Sequence, residues 1–99
     1  MKAPMTRPEA KATTLIDNAR TRVTRFDFVP GAETGWHTHG MDYVITALTD
    51  CYMVLEEPGG TKREVSVRAG DAYARDAGIE HNVINGGLAD MSFVEVELK

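Results

Sequence analysis

From position 21 onward the apolar residues come in short runs, at 23–29, 42–49, 52–56, 64–68, 72–75, 81–84 and 92–98. In the last run Ser92, Val94, Val96 and Leu98 share one face of an extended segment, and Glu95 and Glu97 share the other. That period-two alternation is the mark of a strand. Turn-forming residues separate the runs: Pro30-Gly31, Pro58-Gly59-Gly60, which reads as a hairpin, Ala69-Gly70-Asp71 and Asn85-Gly86-Gly87. No helix longer than two turns is expected after residue 20. Seven short strands at this spacing predict an all-β sandwich or barrel and argue against a βαβ fold.

Residues 1–20 break the pattern. They hold Pro4, Pro8 and the pair Thr13-Thr14, and 10–19 is open to a short helix with a poor apolar stripe. The reading is therefore an N-terminal arm over 1–20 and one β domain over 21–99. A 99-residue chain has room for a single domain with a thin core, which pairing with a second copy would help.

Charge sharpens this division. The net charge is −4, with six basic and two acidic residues through position 25 and five basic and thirteen acidic beyond it. A basic arm fits either onto an acidic body, its own or a partner's, or into solvent as a loose tail. The acidic total argues against general nucleic-acid binding. No apolar run approaches membrane-spanning length, no signal-peptide core is present, and a lone Cys51 fits a reducing, cytoplasmic setting.

Candidate chemistry gathers at the three histidines, His37, His39 and His81. Residues i and i+2 of a strand face one way, so His37 and His39 can reach one point. Neutral imidazole ligates zinc, iron, copper and nickel. A bare His-x-His pair is often only two exposed strand residues, and His81 needs the fold to bring it near. The surrounding glycines add a frame: Gly31 before His37, then Gly70, Gly78, His81 and Asn85.

The stretches Gly31-Ala-Glu-Thr-Gly-Trp-His37-Thr-His39-Gly-Met-Asp-Tyr43 and Gly70-Asp-Ala-Tyr-Ala-Arg-Asp76-Ala-Gly78-Ile-Glu-His81-Asn-Val-Ile-Asn85 resemble the two motifs of the cupin superfamily. The run 36–44 and the ending 93–99 are similar to small single-domain cupins, some of them β-alanine degradation proteins. The resemblance implies a double-stranded β-helix or jelly-roll barrel over about residues 21–98, with the metal inside, and pairing of barrels into a homodimer. Two positions depart from the family pattern. Tyr43 stands where a glutamate ligand is usual, and Asp76 where proline is usual. Tyr43 has inward strand parity but is a poor ligand at neutral pH, and Asp42 would need a bulge to turn inward. The expected shell is three histidines plus water, with Asp42 or Tyr43 as the residue that would extend it.

Three neutral histidines leave the ion its full charge and open positions, which favours small polar or carboxylate ligands. Iron, zinc, nickel, copper and manganese all suit such a set. The resemblance implies an iron-type dioxygenase as one activity. A non-catalytic ligand-binding or sensing cupin and a cupin with an empty, residual site are the competing readings. Met41 shares the inward parity and is expected to form an apolar pocket wall, and Tyr73 either lines the pocket or packs its ring. Trp36 is expected on the outer face, Arg75 as a surface charge, and Asn85 as a turn anchor by resemblance. Cys51 lacks a basic neighbour in sequence and is not expected to be a nucleophile.

Overall fold

The computed structural model describes residues 6–99, so Lys2 and Pro4 of the arm lie outside the described residues. Nine strands follow in order: β1 Lys11–Asp17, β2 Thr21–Phe28, β3 His37–Thr38, β4 Asp42–Ala47, β5 Cys51–Glu56, β6 Lys62–Val67, β7 Ala72–Arg75, β8 Glu80–Asn85 and β9 Met91–Leu98. They form two antiparallel sheets, one in the order β1-β2-β9-β4-β7 and the other β3-β8-β5-β6. The fold is thus the all-β double-stranded β-helix, or jelly roll, expected from the chain. The only helical element among the described residues is one 3-10 turn at Pro58–Gly60, where Gly59 and Gly60 adopt φ of +84° and close the β5–β6 hairpin. A side chain would strain that conformation.

The expected runs correspond to β2 and β4 through β9. One strand was not anticipated. Residues 11–17, inside the stretch open to a short helix, pair with β2 in antiparallel register, Thr13 opposite Arg25 and Asp17 opposite Arg22. Nearly all of β1 is exposed, so no burial imposes alternation on its sequence, and β2 supplies the hydrogen bonds that make it a strand. The strand expected through the histidine pair is present as β3 but is cut to two residues, His37–Thr38.

Side chains facing between the sheets change character along the barrel. One end is apolar: Phe28, Ala47, Cys51, Met53, Met91 and Phe93 are buried together. Phe28 and Phe93 have ring centroids 5.3 Å apart, and Phe26 joins them 5.5 Å from Phe93. Asn85 seals this end by donating to the carbonyls of Phe28 and Ala89 and accepting from the Gly87 amide, the anchoring role expected of it. The other end holds His39, Tyr43, His81 and Glu95, all buried. Strand β9 runs through both, its buried positions being Met91, Phe93 and then Glu95.

Candidate metal centre

His37 in β3 lies directly opposite His81 in β8, so the pairing of these strands brings together two residues 44 positions apart. His39 follows β3 and is held by its backbone: its amide donates to the Ile79 carbonyl at 2.9 Å, and its carbonyl accepts from the Gly78 amide at 2.7 Å. Gly78 makes this turn at φ +97°. The three rings meet edge to face with centroids 4.7 to 5.0 Å apart. The Nε2 atom of His39 lies 3.0 Å from that of His37 and 3.0 Å from that of His81.

The three ligand nitrogens all lie within 4.8 Å of one another, a cluster able to hold a divalent ion. Nitrogens bound to one ion at about 2.1 Å lie about 3.0 Å apart at right angles and about 3.4 Å apart at tetrahedral angles. The Nδ1 atom of His37 is 2.8 Å from the Gly35 carbonyl oxygen. Because a carbonyl only accepts, Nδ1 carries the proton and the Nε2 lone pair is free. Burial, reinforced by the neighbouring His37, pushes the pKa of His39 and of His81 down to about 4. Both are neutral at pH 7, the form that binds metal.

Two spaces adjoin the rings. An interior gap bounded by His39, His81, Tyr43, Met53, Tyr73 and Glu95 offers about 20 Å³, room for about one water. A depression of about 320 Å³ opens outward past Phe26, Thr34, His37, His39, Glu95 and Glu97. A larger hollow of about 410 Å³ near Cys51, Leu88 and Met91 includes none of the three histidines.

Tyr43 points inward as its parity requires, and its ring stacks on His39 at 3.9 Å with planes 20° apart. Burial raises its phenol to about 12, so it braces a histidine as a neutral ring. Asp42 does not turn inward: it is exposed, and its Oδ1 accepts from the Ala77 amide at 2.8 Å, tying β4 to the turn before Gly78. Met41 lines neither space beside the histidines, because a bend at Gly40 and Met41 interrupts the strand that its parity assumed. Tyr73 lines the interior gap, its hydroxyl directed to the Met53 sulfur at 3.9 Å. Arg75 lies over the Tyr73 ring, Asp76 is exposed and Trp36 is 54% exposed. Cys51 is buried and its thiol pKa is raised, chiefly by that burial.

Glu95 and Glu97 were not among the expected site residues. Carboxylate oxygens of both lie within 4.8 Å of a His39 ring nitrogen and of each other. Burial, with Glu97 beside it, raises the Glu95 carboxyl to about 7. Their signal was present in the sequence, since Glu95 is in phase with Met91 and Phe93.

The Cupin_2 family, described as a cupin domain, matches residues 24–97. The chain belongs to the cupin family. It is 52% identical over 93 residues to the beta-alanine degradation protein BauB of Pseudomonas aeruginosa, covering 94% of this chain and 97% of that one. The crystal structure of a cupin domain from Bordetella pertussis superposes with a TM-score of 0.92 at 46% identity, covering 97% of this cupin and 99% of that chain. A double-stranded β-helix protein from Klebsiella pneumoniae superposes at 0.75 with 20% identity, over 96% of this chain and 81% of that one, a likeness of fold alone. This cupin therefore carries a histidine cluster able to hold a metal, with Tyr43 where the family pattern usually has a glutamate.

Proposed function

We propose that this cupin is a mononuclear metal protein, with His37, His39 and His81 as ligands. It would act on a small molecule that carries both a carboxylate, or a similar oxygen donor, and a cationic or hydrogen-bond-donating group. The observation that carries the reading is the convergence of three Nε2 atoms at the spacing of one ion's coordination sphere. When bound, a divalent ion supplies a Lewis acid with positions open to a ligand, and iron adds oxygen chemistry.

The chain's own residues define the rest of the site. The neutral imidazoles leave the ion's charge uncompensated, which favours an anionic donor group. Glu95 and Glu97 line the outward depression beside His37 and His39, so a ligand there meets negative charge and suits an ammonium or hydroxyl at its far end. With a pKa of about 7, Glu95 is poised to take or give a proton at its carboxyl oxygen near neutral pH. Phe26 walls the depression without offering charge, and Tyr43 does the same for the interior gap behind it. A β-amino acid combines the two required ends, and the name of the 52%-identical relative points to the same chemistry.

The leading activity is oxygenation with iron; the alternative is capture of the same ligand without turnover. Elemental analysis of protein purified without chelator or affinity nickel, followed by oxygen-uptake and product assays on small amino acids and their oxo-acid derivatives, tests both. The expected result is one transition-metal ion per chain and turnover with iron. Ligand-induced thermal stabilisation without product would select the capture reading. Absence of metal, with no uptake of added zinc or iron, would contradict the centre itself.

The same reading extends to assembly. Ile16, Val23, Val96 and Val44 align in register across β1, β2, β9 and β4 on the outer face of the larger sheet. This apolar row supports a homodimer formed through that face. No helix among the described residues is long and apolar enough to cross a membrane.

A further inference from the structure

Asn82 is the most buried polar residue among the described residues, 1% exposed, and it lies one position past His81 with its side chain on the opposite face of β8. Its amide is fully engaged. Nδ2 donates to Glu33 Oε1 at 2.8 Å and to Glu56 Oε1 at 2.8 Å, and Oδ1 accepts from the Gly35 amide at 2.9 Å. The two carboxylates are clamped in turn by Arg7, whose guanidinium donates to Glu33 at 2.9 Å and to Glu56 at 3.1 Å. Hydrogen bonds from Asn82 and then Arg7 hold both carboxyls below their usual pKa, so they stay ionised.

The geometry points to Asn82 as a positioning residue for His37, acting through Gly35 and anchored by the N-terminal segment through Arg7. Gly35 adopts φ +88°, a turn open to glycine, its amide is tied to Asn82, and its carbonyl is the acceptor that fixes the His37 proton on Nδ1. Thr34 completes the hold: its hydroxyl donates to the Gly35 carbonyl at 3.0 Å while accepting from the Val83 amide at 3.1 Å. The chain of contacts therefore runs from Arg7 through Glu33 and Glu56 to Asn82, Gly35 and the His37 ring. Outer partners of this kind set ligand tautomer and aim. A buried amide between two carboxylates is also hard to replace, because its loss leaves charges facing one another.

This assignment rests on the proposed metal centre for its consequence but not for its geometry, and two readouts keep them apart. Long-range ¹⁵N–¹H spectra of the metal-free full chain report which His37 nitrogen carries the proton, and zinc titration reports affinity. In wild type the proton is expected on Nδ1. Asn82→Ala is expected to populate the Nε2–H tautomer and to weaken zinc binding by about 10- to 100-fold. Arg7→Ala, at an exposed side chain, is expected to shift both in the same direction, by about threefold in affinity. Arg7→Lys should recover part of that loss. A folded Asn82→Ala protein with the wild-type tautomer and affinity would overturn the assignment. Should Asn82→Ala fail to fold, an Arg7→Ala protein unchanged in both readouts would overturn it equally. A tautomer that responds to Asn82→Ala in a protein that never binds zinc would uphold the positioning role and refute the metal centre.

Discussion

The two ends of the barrel interior are built on the same strands and do opposite work. At one end Phe28, Met53, Met91 and Phe93 exclude water and pack ring against ring. At the other, His39, His81, Tyr43 and Glu95 are also buried but carry polar atoms. The first end contributes stability through apolar burial, and the second spends stability on groups whose charged forms are disfavoured there. Strand β9 makes the contrast on a single face, where Phe93 and Glu95 are two residues apart. The candidate site thus lies where the barrel interior is least favourable in isolation, and the apolar end compensates.

The sharpest way to break this contrast is to cut into the apolar end. Phe93→Ala should destabilise the protein by about 3–5 kcal/mol, read by urea unfolding, because it opens a cavity among three packed rings. A cost near that of a surface substitution would mean that the aromatic cluster is not the support of the barrel.

The next effects come from the polar end and depend on pH. The folded pKa of His39 and His81 is about 4, against an unfolded value of 6.5. Above pH 6.5 both states are neutral and stability from these groups is complete. Between 6.5 and 4 only the unfolded chain takes up the protons, so metal-free protein loses stability, on the order of 2–3 kcal/mol for the pair. The His39→Ala/His81→Ala double variant should flatten that limb of the stability profile. Glu95 has the reverse sign. Its folded pKa is about 7 against 4.5 unfolded, so stability falls as pH rises from 4.5 to 7 and stays reduced above. Glu95→Gln should therefore stabilise metal-free protein above neutral pH by on the order of 2 kcal/mol and change little below 4.5. A Glu95→Gln profile parallel to wild type would show that Glu95 is not held in a water-poor site.

The smallest effect belongs to a residue beside the site but outside it. Asp42→Ala removes one exposed hydrogen bond to Ala77 and should cost about 1 kcal/mol or less, with zinc affinity unchanged. A large loss of zinc affinity would place Asp42 among the ligands after all.

Much of this architecture was legible in the residues, and the exceptions have physical causes. Strands β2, β4, β5 and β9 announce themselves because one face is buried, which imposes alternation, and β8 because both of its faces are buried, which imposes an apolar run; β6 and β7 keep only half-buried positions alternating with exposed ones. Strand β1 does not announce itself, since its neighbour β2 and not the core makes it a strand. The histidines were legible from spacing, and His81 from its motif. Parity misplaced Met41 because it assumes an unbroken strand, and the bend at Gly40 ends β3 early. Glu95 and Glu97 were hidden for a different reason. Val94, Val96 and Leu98 look like the core face of β9, yet they lie on the outer face, and the acidic residues share the inner face of Phe93. The Asn82 network escaped notice because its members, Arg7, Glu33, Glu56 and Asn82, are scattered along the chain and meet only through sheet pairing.

The central claim is that one ion is shared by three imidazoles, and calorimetric titration of the metal-free chain with zinc tests it most directly. Wild type should bind one zinc per chain, and His37→Ala, His39→Ala and His81→Ala should each weaken that binding by at least about a hundredfold while remaining folded. Wild-type affinity in any one of the three variants would contradict a common centre.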